Sequence, residues 1–163
     1  MQGSGIVTRK PLLLLDIDGV LNPTVTNPPP GYTSNLLNGH QFHVSDMHLE
    51  RLRKLAPSAD FAWASTWEDV ANASVGVALE LPHLSFIRFG DDRTADTWKL
   101  PYVDQFVSNR ALIWAEDNLY LDAFTWAEQR ASPTLLVKPS SSVGLTEAHF
   151  DQIDDFVGQL GRN

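Results

Sequence analysis

The sequence contains no cysteine, which excludes disulfide bonds and thiolate metal sites. It also lacks any apolar run near the roughly 18 residues that a membrane-spanning helix needs. Basic residues precede a short apolar run near the N-terminus, as in a signal peptide. However, that run covers only residues 12 to 15, and no small-residue cleavage site follows it. We therefore expect a cytoplasmic protein that does not enter a membrane, with an N-terminal tail at residues 1 to 9.

Basic residues are scarce, at 12 lysines and arginines against 20 aspartates and glutamates, for a formal charge of −8. A negative field repels nucleic acid at long range, so a nucleic-acid substrate would need a local basic patch. Part of the excess can instead belong to a cation site, where a divalent metal would neutralise converging carboxylates.

The alternation of apolar patterns predicts a single α/β domain over residues 10 to 163. Five short runs are apolar on both faces, as buried parallel strands are: 11–15, 61–64, 84–89, 111–115 and 134–137. Helical patterns lie between and after them, at 45–56, 68–80, 101–109, 119–131 and 146–160. This order predicts a doubly wound, five-stranded parallel sheet with helices on both faces.

Polar side chains follow several of these strands. They are Asp16 and Asp18 after the first, Ser65 and Thr66 after the second, and Glu116 and Asp117 after the fourth. Lys99 directly precedes the helix that leads into the fourth strand. Ligands of such sheets bind beyond the carboxyl ends of the strands, so we expect these groups to share one site.

Two aspartates with one residue between them suit phosphomonoester hydrolysis. Asp16 can attack phosphorus to form an aspartyl-phosphate, and Asp18 can protonate the leaving oxygen. Mg²⁺ would neutralise the carboxylates and the phosphate, with Asp16 and either Glu116 or Asp117 as ligands.

Four segments resemble the motifs of the haloacid-dehalogenase (HAD) superfamily, in the superfamily's order. They are "DIDGVLN" at 16–22, "FAWAST" at 61–66, "TWKLP" at 97–101 and "LIWAEDN" at 112–118. The resemblance implies a three-layer Rossmann-like sandwich and an Mg²⁺-dependent phosphatase. It makes Asp16 the nucleophile and Asp18 the general acid/base, and it assigns phosphate binding to Ser65, with Thr66 beside it, and to Lys99.

The same resemblance places Mg²⁺ on Asp16, the Asp18 backbone carbonyl and the acids at 116 and 117. The sequence departs from the fourth motif because Glu116 stands where the superfamily commonly has aspartate. The longer side chain leaves open whether Glu116 or Asp117 is the direct ligand.

The intervals between the motifs are too short for a sizeable cap domain, and residues 22 to 44 are predicted as a loop or flap. The chain is similar to the small, capless HAD domains of RNA-repair proteins. This similarity implies a phosphorylated substrate, either a small molecule, a nucleotide or a nucleic-acid end. The oligomeric state is not readable.

Several side chains keep two interpretations. Trp67 and Trp98 flank the motifs and can stack on a substrate base, or they can pack strand–helix junctions. His40, His43 and His48 cluster, which brings transition-metal binding to mind, but the five-residue spacing of His43 and His48 suits no common site. These histidines are therefore expected in surface or capping roles. The chain as a whole can also be a non-catalytic phosphate- or partner-binding module on the same fold, or a receiver-like domain that Asp18 argues against.

Overall fold

The computed structural model describes residues 9–162, so the predicted tail lies outside the described residues except for its last position. These residues form seven strands and six helices. In chain order they are β1 Leu12–Leu15, β2 Tyr32–Leu37, β3 His40–Ser45, α1 Asp46–Leu55, β4 Asp60–Trp63, α2 Val70–Ala73, α3 Val75–Ala78, β5 Ser85–Phe86, α4 Leu100–Val107, β6 Leu112–Ala115, α5 Leu121–Gln129, β7 Thr134–Val137 and α6 Glu147–Leu160.

Five of the strands form one parallel sheet in the order β5-β4-β1-β6-β7. β1 lies at its centre, and all four of its leucines are buried. Leu13 and Leu15 pack in a core with residues of α1 and α6, whereas Leu12 and Leu14 pack in a second core with residues of α4 and α5. Each buried leucine contributes about 1.5–3 kcal/mol to folding. The predicted α/β sandwich with helices on both faces of the sheet is confirmed.

Side-chain caps fix where two of the long helices begin. Ser45 accepts hydrogen bonds from the backbone of Met47 and His48 at the start of α1. Thr146 forms a capping box with His149 at the start of α6. Each cap satisfies backbone N–H groups that have no partner within the helix, so these sequence-predicted starts are confirmed.

Two predicted elements are shorter than the sequence pattern indicated. The strand predicted at 84–89 forms ladder pairs only at Ser85 and Phe86, on the sheet edge. The helix predicted at 68–80 is divided into α2 and α3 at Ser74, whose φ of −125° and ψ of −95° are not helical. The Ser74 hydroxyl donates to the Val70 carbonyl, a local bond that competes with regular helix geometry.

The segment predicted as a loop or flap contains an antiparallel hairpin, which the strand prediction missed. β2 and β3 pair along their whole length, with Tyr32 opposite Ser45 at one end and Leu37 opposite His40 at the other. Asn38 and Gly39, at φ of 50° and 80°, form the two-residue turn between them. Positive φ at both positions is the geometry of a type I′ turn, for which Asn-Gly is the favoured sequence. Residues 9–162 contain no large cap domain, and none of their helices is long and apolar enough to cross a membrane.

The expectation that His43 and His48 have surface or capping roles was wrong, because both side chains are buried. The Nε2 atom of His43 lies 3.1 Å from the Val25 carbonyl oxygen, and Nδ1 lies 2.9 Å from the Ser34 hydroxyl. His48 Nε2 lies 2.7 Å from the Leu145 carbonyl oxygen. Both rings therefore tie the hairpin and α1 to neighbouring loops.

The burial of His48 predicts a loss of stability in acid. Burial lowers its pKa from 6.5 to about 4, although the Leu145 carbonyl and Glu147 oppose the shift. Between these values the unfolded chain binds a proton that the native chain does not. The free energy of unfolding should therefore fall by about 3 kcal/mol as the pH drops from 6.5 to 4.

Urea unfolding of the wild type, His48→Phe and the exposed control His40→Phe, each at pH 7 and pH 4, measures this effect. The decrease in the free energy of unfolding between pH 7 and pH 4 should be about 3 kcal/mol smaller in His48→Phe than in the other two proteins. Equal losses in all three would contradict the assignment. If His48→Phe does not fold, His48→Gln replaces it.

Candidate active site

Three carboxylates meet at the carboxyl end of the sheet. Asp16 directly follows β1, while Glu116 and Asp117 follow β6, and these two strands are hydrogen-bonded neighbours. One oxygen from each residue can be chosen so that all three atoms lie within 4.8 Å of one another. Asp16 and Glu116 are buried and Asp117 is half-buried. Such close carboxylates repel one another and favour a neighbouring cation.

Lys99 places one positive charge inside this cluster. Its Nζ atom lies 3.2 Å from Asp16 Oδ1 and 2.6 Å from Glu116 Oε1, and it donates to the Ala64 carbonyl. Burial opposes the charged form, but the two carboxylates outweigh it, and the pKa of Lys99 is raised. Lys99 therefore stays protonated, and one cation faces three acidic groups.

Burial also acts on the acids themselves. It raises the pKa of Asp16, although Glu116 and Lys99 oppose the rise. Burial, together with the neighbouring Asp16, raises the pKa of Glu116 to about 10 despite Lys99. Asp16 and Glu116 therefore resist being ionised together, and a bound cation would favour the ionised form of both.

The donor set fits a hard divalent cation. Asp117 Oδ1 is buried and has no hydrogen-bond partner among the described residues. The Glu116 oxygens are already engaged, Oε1 by Lys99 and Oε2 by the Asp117 backbone N–H at 3.1 Å. An unpartnered buried carboxylate oxygen is costly unless a cation meets it, and an all-oxygen donor set suits Mg²⁺ or a similar ion.

Gly19 gives Asp117 the space that it occupies. Its φ is +80°, in the left-handed region, and a Cβ built there would lie 2.2 Å from Asp117 Oδ2. Any side chain at position 19 would therefore displace the Asp117 carboxylate as well as strain the backbone. The turn after Asp18 and the acidic cluster depend on the same glycine.

Asp18 lies in a different environment from Asp16. Its side chain is exposed, Oδ1 accepts from Asn22 Nδ2 at 3.0 Å, and Oδ2 accepts from Trp67 Nε1 at 3.0 Å. Asn22 Oδ1 in turn accepts from the His43 backbone N–H in β3. The hairpin is thus connected to Asp18 through Asn22, and the two aspartates differ in burial, charge environment and access.

The remaining predicted side chains lie around this cluster. Ser65 is buried and its Oγ accepts from the Trp67 backbone N–H at 3.1 Å, while Thr66 is exposed. Trp98 contacts Phe89 edge-to-face, and the Arg93 guanidinium lies 3.7 Å from the centre of its ring. Arg93 therefore covers one face of the Trp98 ring in this structure.

A comparison with protein-family models identifies the family. The model described as "HAD domain in Swiss Army Knife RNA repair proteins" matches residues 12–150. The chain belongs to this family. No curated protein matches the chain significantly. The match covers every strand of the parallel sheet and all seven residues predicted for catalysis, phosphate binding and metal binding. The similarity that was inferred from the four motifs is therefore confirmed.

The structure of this HAD domain adds two features that the sequence did not reveal. Asn22 links Asp18 to the hairpin, as described above. Asp122 in α5 accepts from the backbone and hydroxyl of Thr97, and the Tyr120 backbone N–H donates to the same hydroxyl. Thr97 is two residues before Lys99, so these bonds fix the segment that carries the lysine. The Asn38-Gly39 pair is a local signal from which the hairpin could have been predicted, whereas no local pattern indicates the bond between residues 97 and 122.

Proposed function

We propose that this HAD domain is an Mg²⁺-dependent phosphomonoester hydrolase that acts through an aspartyl-phosphate on Asp16. The observation that carries the proposal is the pair of unlike aspartates. Asp16 is buried beside Lys99 in the acidic cluster, and Asp18 is exposed two residues later. The phosphorus-attacking group and the proton-transferring group need these different environments.

In the first step, a carboxylate oxygen of Asp16 forms a bond to phosphorus as the bond to the leaving oxygen breaks. Asp18 gives its proton to that leaving oxygen. Asp16 Oδ1 accepts from the Ile17 backbone N–H and lies beside Lys99, which holds the carboxylate in one orientation. In the second step, Asp18 takes a proton from water, the water oxygen bonds to phosphorus, and the bond to Asp16 breaks.

The phosphate would be held by Lys99, by the Ser65 hydroxyl and by Thr66. Asp16, Asp117 and the Asp18 backbone carbonyl would hold Mg²⁺, with Glu116 as a further carboxylate nearby. The bound ion supplies positive charge that offsets the repulsion between the carboxylates and the phosphate. We assign direct coordination to Asp117 rather than Glu116, because Asp117 Oδ1 is the unpartnered atom.

The substrate class that we propose is the terminal phosphate of a nucleotide or a nucleic-acid end. The family description names RNA repair proteins, which act on nucleic acid, and this supports the class. Trp67 hydrogen-bonds to Asp18 and is therefore placed to contact the leaving group.

Removal of the metal tests the proposal. Purified protein should hydrolyse p-nitrophenyl phosphate in the presence of Mg²⁺, and chelation by EDTA should lower the rate at least about 100-fold, because the uncompensated carboxylates then repel the phosphate. Excess Mg²⁺ should restore the rate. Mg²⁺ binding detected by calorimetry, with no turnover of any phosphomonoester, would instead identify a non-catalytic phosphate-binding module.

A further inference from the structure

A groove of about 440 Å³ opens directly from the proposed general acid, Asp18. The tip of the hairpin forms one side of it, and the segment after Ser65 forms the other. Its volume lies within the range of small-molecule sites. Since Asp18 must contact the leaving oxygen, the part of the substrate beyond that oxygen has to extend into this groove.

The groove combines amide groups with apolar surface. Asn38 and Gln41 supply exposed amide donors and acceptors, and Trp67 and Val70 supply apolar contact area. Amides of this kind can hydrogen-bond to sugar hydroxyls and to the edges of bases, while an aromatic residue contacts a ring. This mixture suits a leaving group of about the size of one nucleoside.

The charge of the groove is the deciding observation. Among the described residues that line it there is no lysine or arginine, and its one acidic side chain is Asp18. An adjoining cavity, which shares Asn22 and Gln41 with it, is also lined without lysine or arginine. Arg93, which lies against Trp98, is not part of either lining. His40 is the one basic side chain among the described lining residues, and in a chain of formal charge −8 no lysine or arginine of this groove offsets a phosphodiester.

We propose that the groove selects an uncharged, nucleoside-sized leaving group and disfavours one that carries a phosphodiester. The inference rests on the proposed function and narrows its substrate class to mononucleotides. A nucleic-acid end would bring its next phosphodiester to the far side of that nucleoside, where no lysine or arginine of the lining meets it.

Two substrates with the same reacting phosphate test this selection. They are adenosine 5′-monophosphate and the 5′-phosphorylated dinucleotide of adenosine, which differ by one phosphodiester and one nucleoside. The wild type should show a kcat/KM about fivefold or more higher for the mononucleotide. Gln41→Lys adds a cation to both cavities and should shift the ratio about fivefold toward the dinucleotide.

Gln159→Lys is the matched control. Gln159 is exposed near the end of α6, and α6 leads away from the carboxyl end of the sheet, so the same charge is added far from the groove. The ratio of its kcat/KM for the mononucleotide to its kcat/KM for the dinucleotide should equal that of the wild type. A wild-type preference for the dinucleotide, or an equal ratio in Gln41→Lys and Gln159→Lys, would overturn the inference.

Binding separates this inference from the proposed function. Calorimetry with the Asp16→Asn protein should show tighter binding of the mononucleotide than of the dinucleotide, whether or not the wild type turns either over. If the mononucleotide binds more tightly but the wild type hydrolyses neither compound, the proposed function is contradicted and the groove selection stands. Hydrolysis without the preference contradicts the groove selection alone.

Discussion

Asp16→Asn should abolish hydrolysis of every phosphomonoester substrate, with kcat at least about 10⁴-fold lower than that of the wild type. An amide oxygen is a poor nucleophile, and its phosphoryl adduct would carry positive charge. The substitution keeps the size of the side chain and removes a negative charge from a crowded cluster. Lys99 retains Glu116 as a partner at 2.6 Å, so we expect the variant to fold.

The matched control is Asp155→Asn, which makes the same change at an exposed position of α6. Its kcat should equal that of the wild type. Circular dichroism and urea unfolding establish that Asp16→Asn is folded before its rate is compared. Residual activity of Asp16→Asn within about tenfold of the wild type would rule out the covalent mechanism.

Asp18→Asn should impair reaction with alkyl phosphates far more than with aryl phosphates. An alkoxide is a strong base and needs a proton from Asp18 as it leaves, so kcat/KM should fall about 10²–10⁴-fold. Nitrophenolate leaves without protonation, so kcat/KM for p-nitrophenyl phosphate should fall less than about tenfold. The second step also loses its general base, and kcat should fall with both substrates.

The comparison uses kcat/KM because this parameter reports the first chemical step, whichever step limits turnover. The alkyl substrate can be glycerol 1-phosphate, which is small enough to leave the groove beyond Asp18 mostly unfilled. Equal losses of kcat/KM with the alkyl and the aryl substrate would show that Asp18 does not protonate the leaving group.

The central strand and its acids were predictable because their signals are local. Four leucines in a row leave no face for solvent, so β1 had to be buried in the sheet. Parallel pairing then brings Asp16 and Glu116 together, since β1 and β6 are neighbours in register. The site's location followed from strand ends alone, and the family match spans all four motifs.

Two of the features that the sequence analysis missed depend on tertiary contacts, and the third, the hairpin, is indicated by its turn residues. His48 lies on a helix whose sequence is largely polar, and only packing against Tyr32 and Phe150 shows that it is buried. The bond between Thr97 and Asp122 joins residues 25 apart. The hairpin was missed for another reason. Asn38 and Gly39 are the favoured residues of a type I′ turn, but the residues on either side of them lack the strong alternation that is typical of strands.

The acid that we propose as the direct metal ligand could not be predicted from the sequence either. Glu116 and Asp117 are adjacent, and composition cannot say which of them faces a cation. The structure separates them by their partners, since Lys99 and a backbone N–H engage Glu116 while Asp117 Oδ1 has none among the described residues. The distinction arises from Lys99, which reaches the cluster from the position just before α4, and from the space that Gly19 leaves.

The most direct test of the unequal roles of the two aspartates is to trap the intermediate. Asp18→Asn protein is mixed with p-nitrophenyl phosphate and Mg²⁺, quenched in acid, digested, and examined by peptide mass spectrometry. One phosphoryl group on the Asp16 carboxylate is the expected result, because the first step proceeds while the second is slowed. A phosphoryl group on any other residue, or turnover with no phosphorylated peptide, would contradict the mechanism.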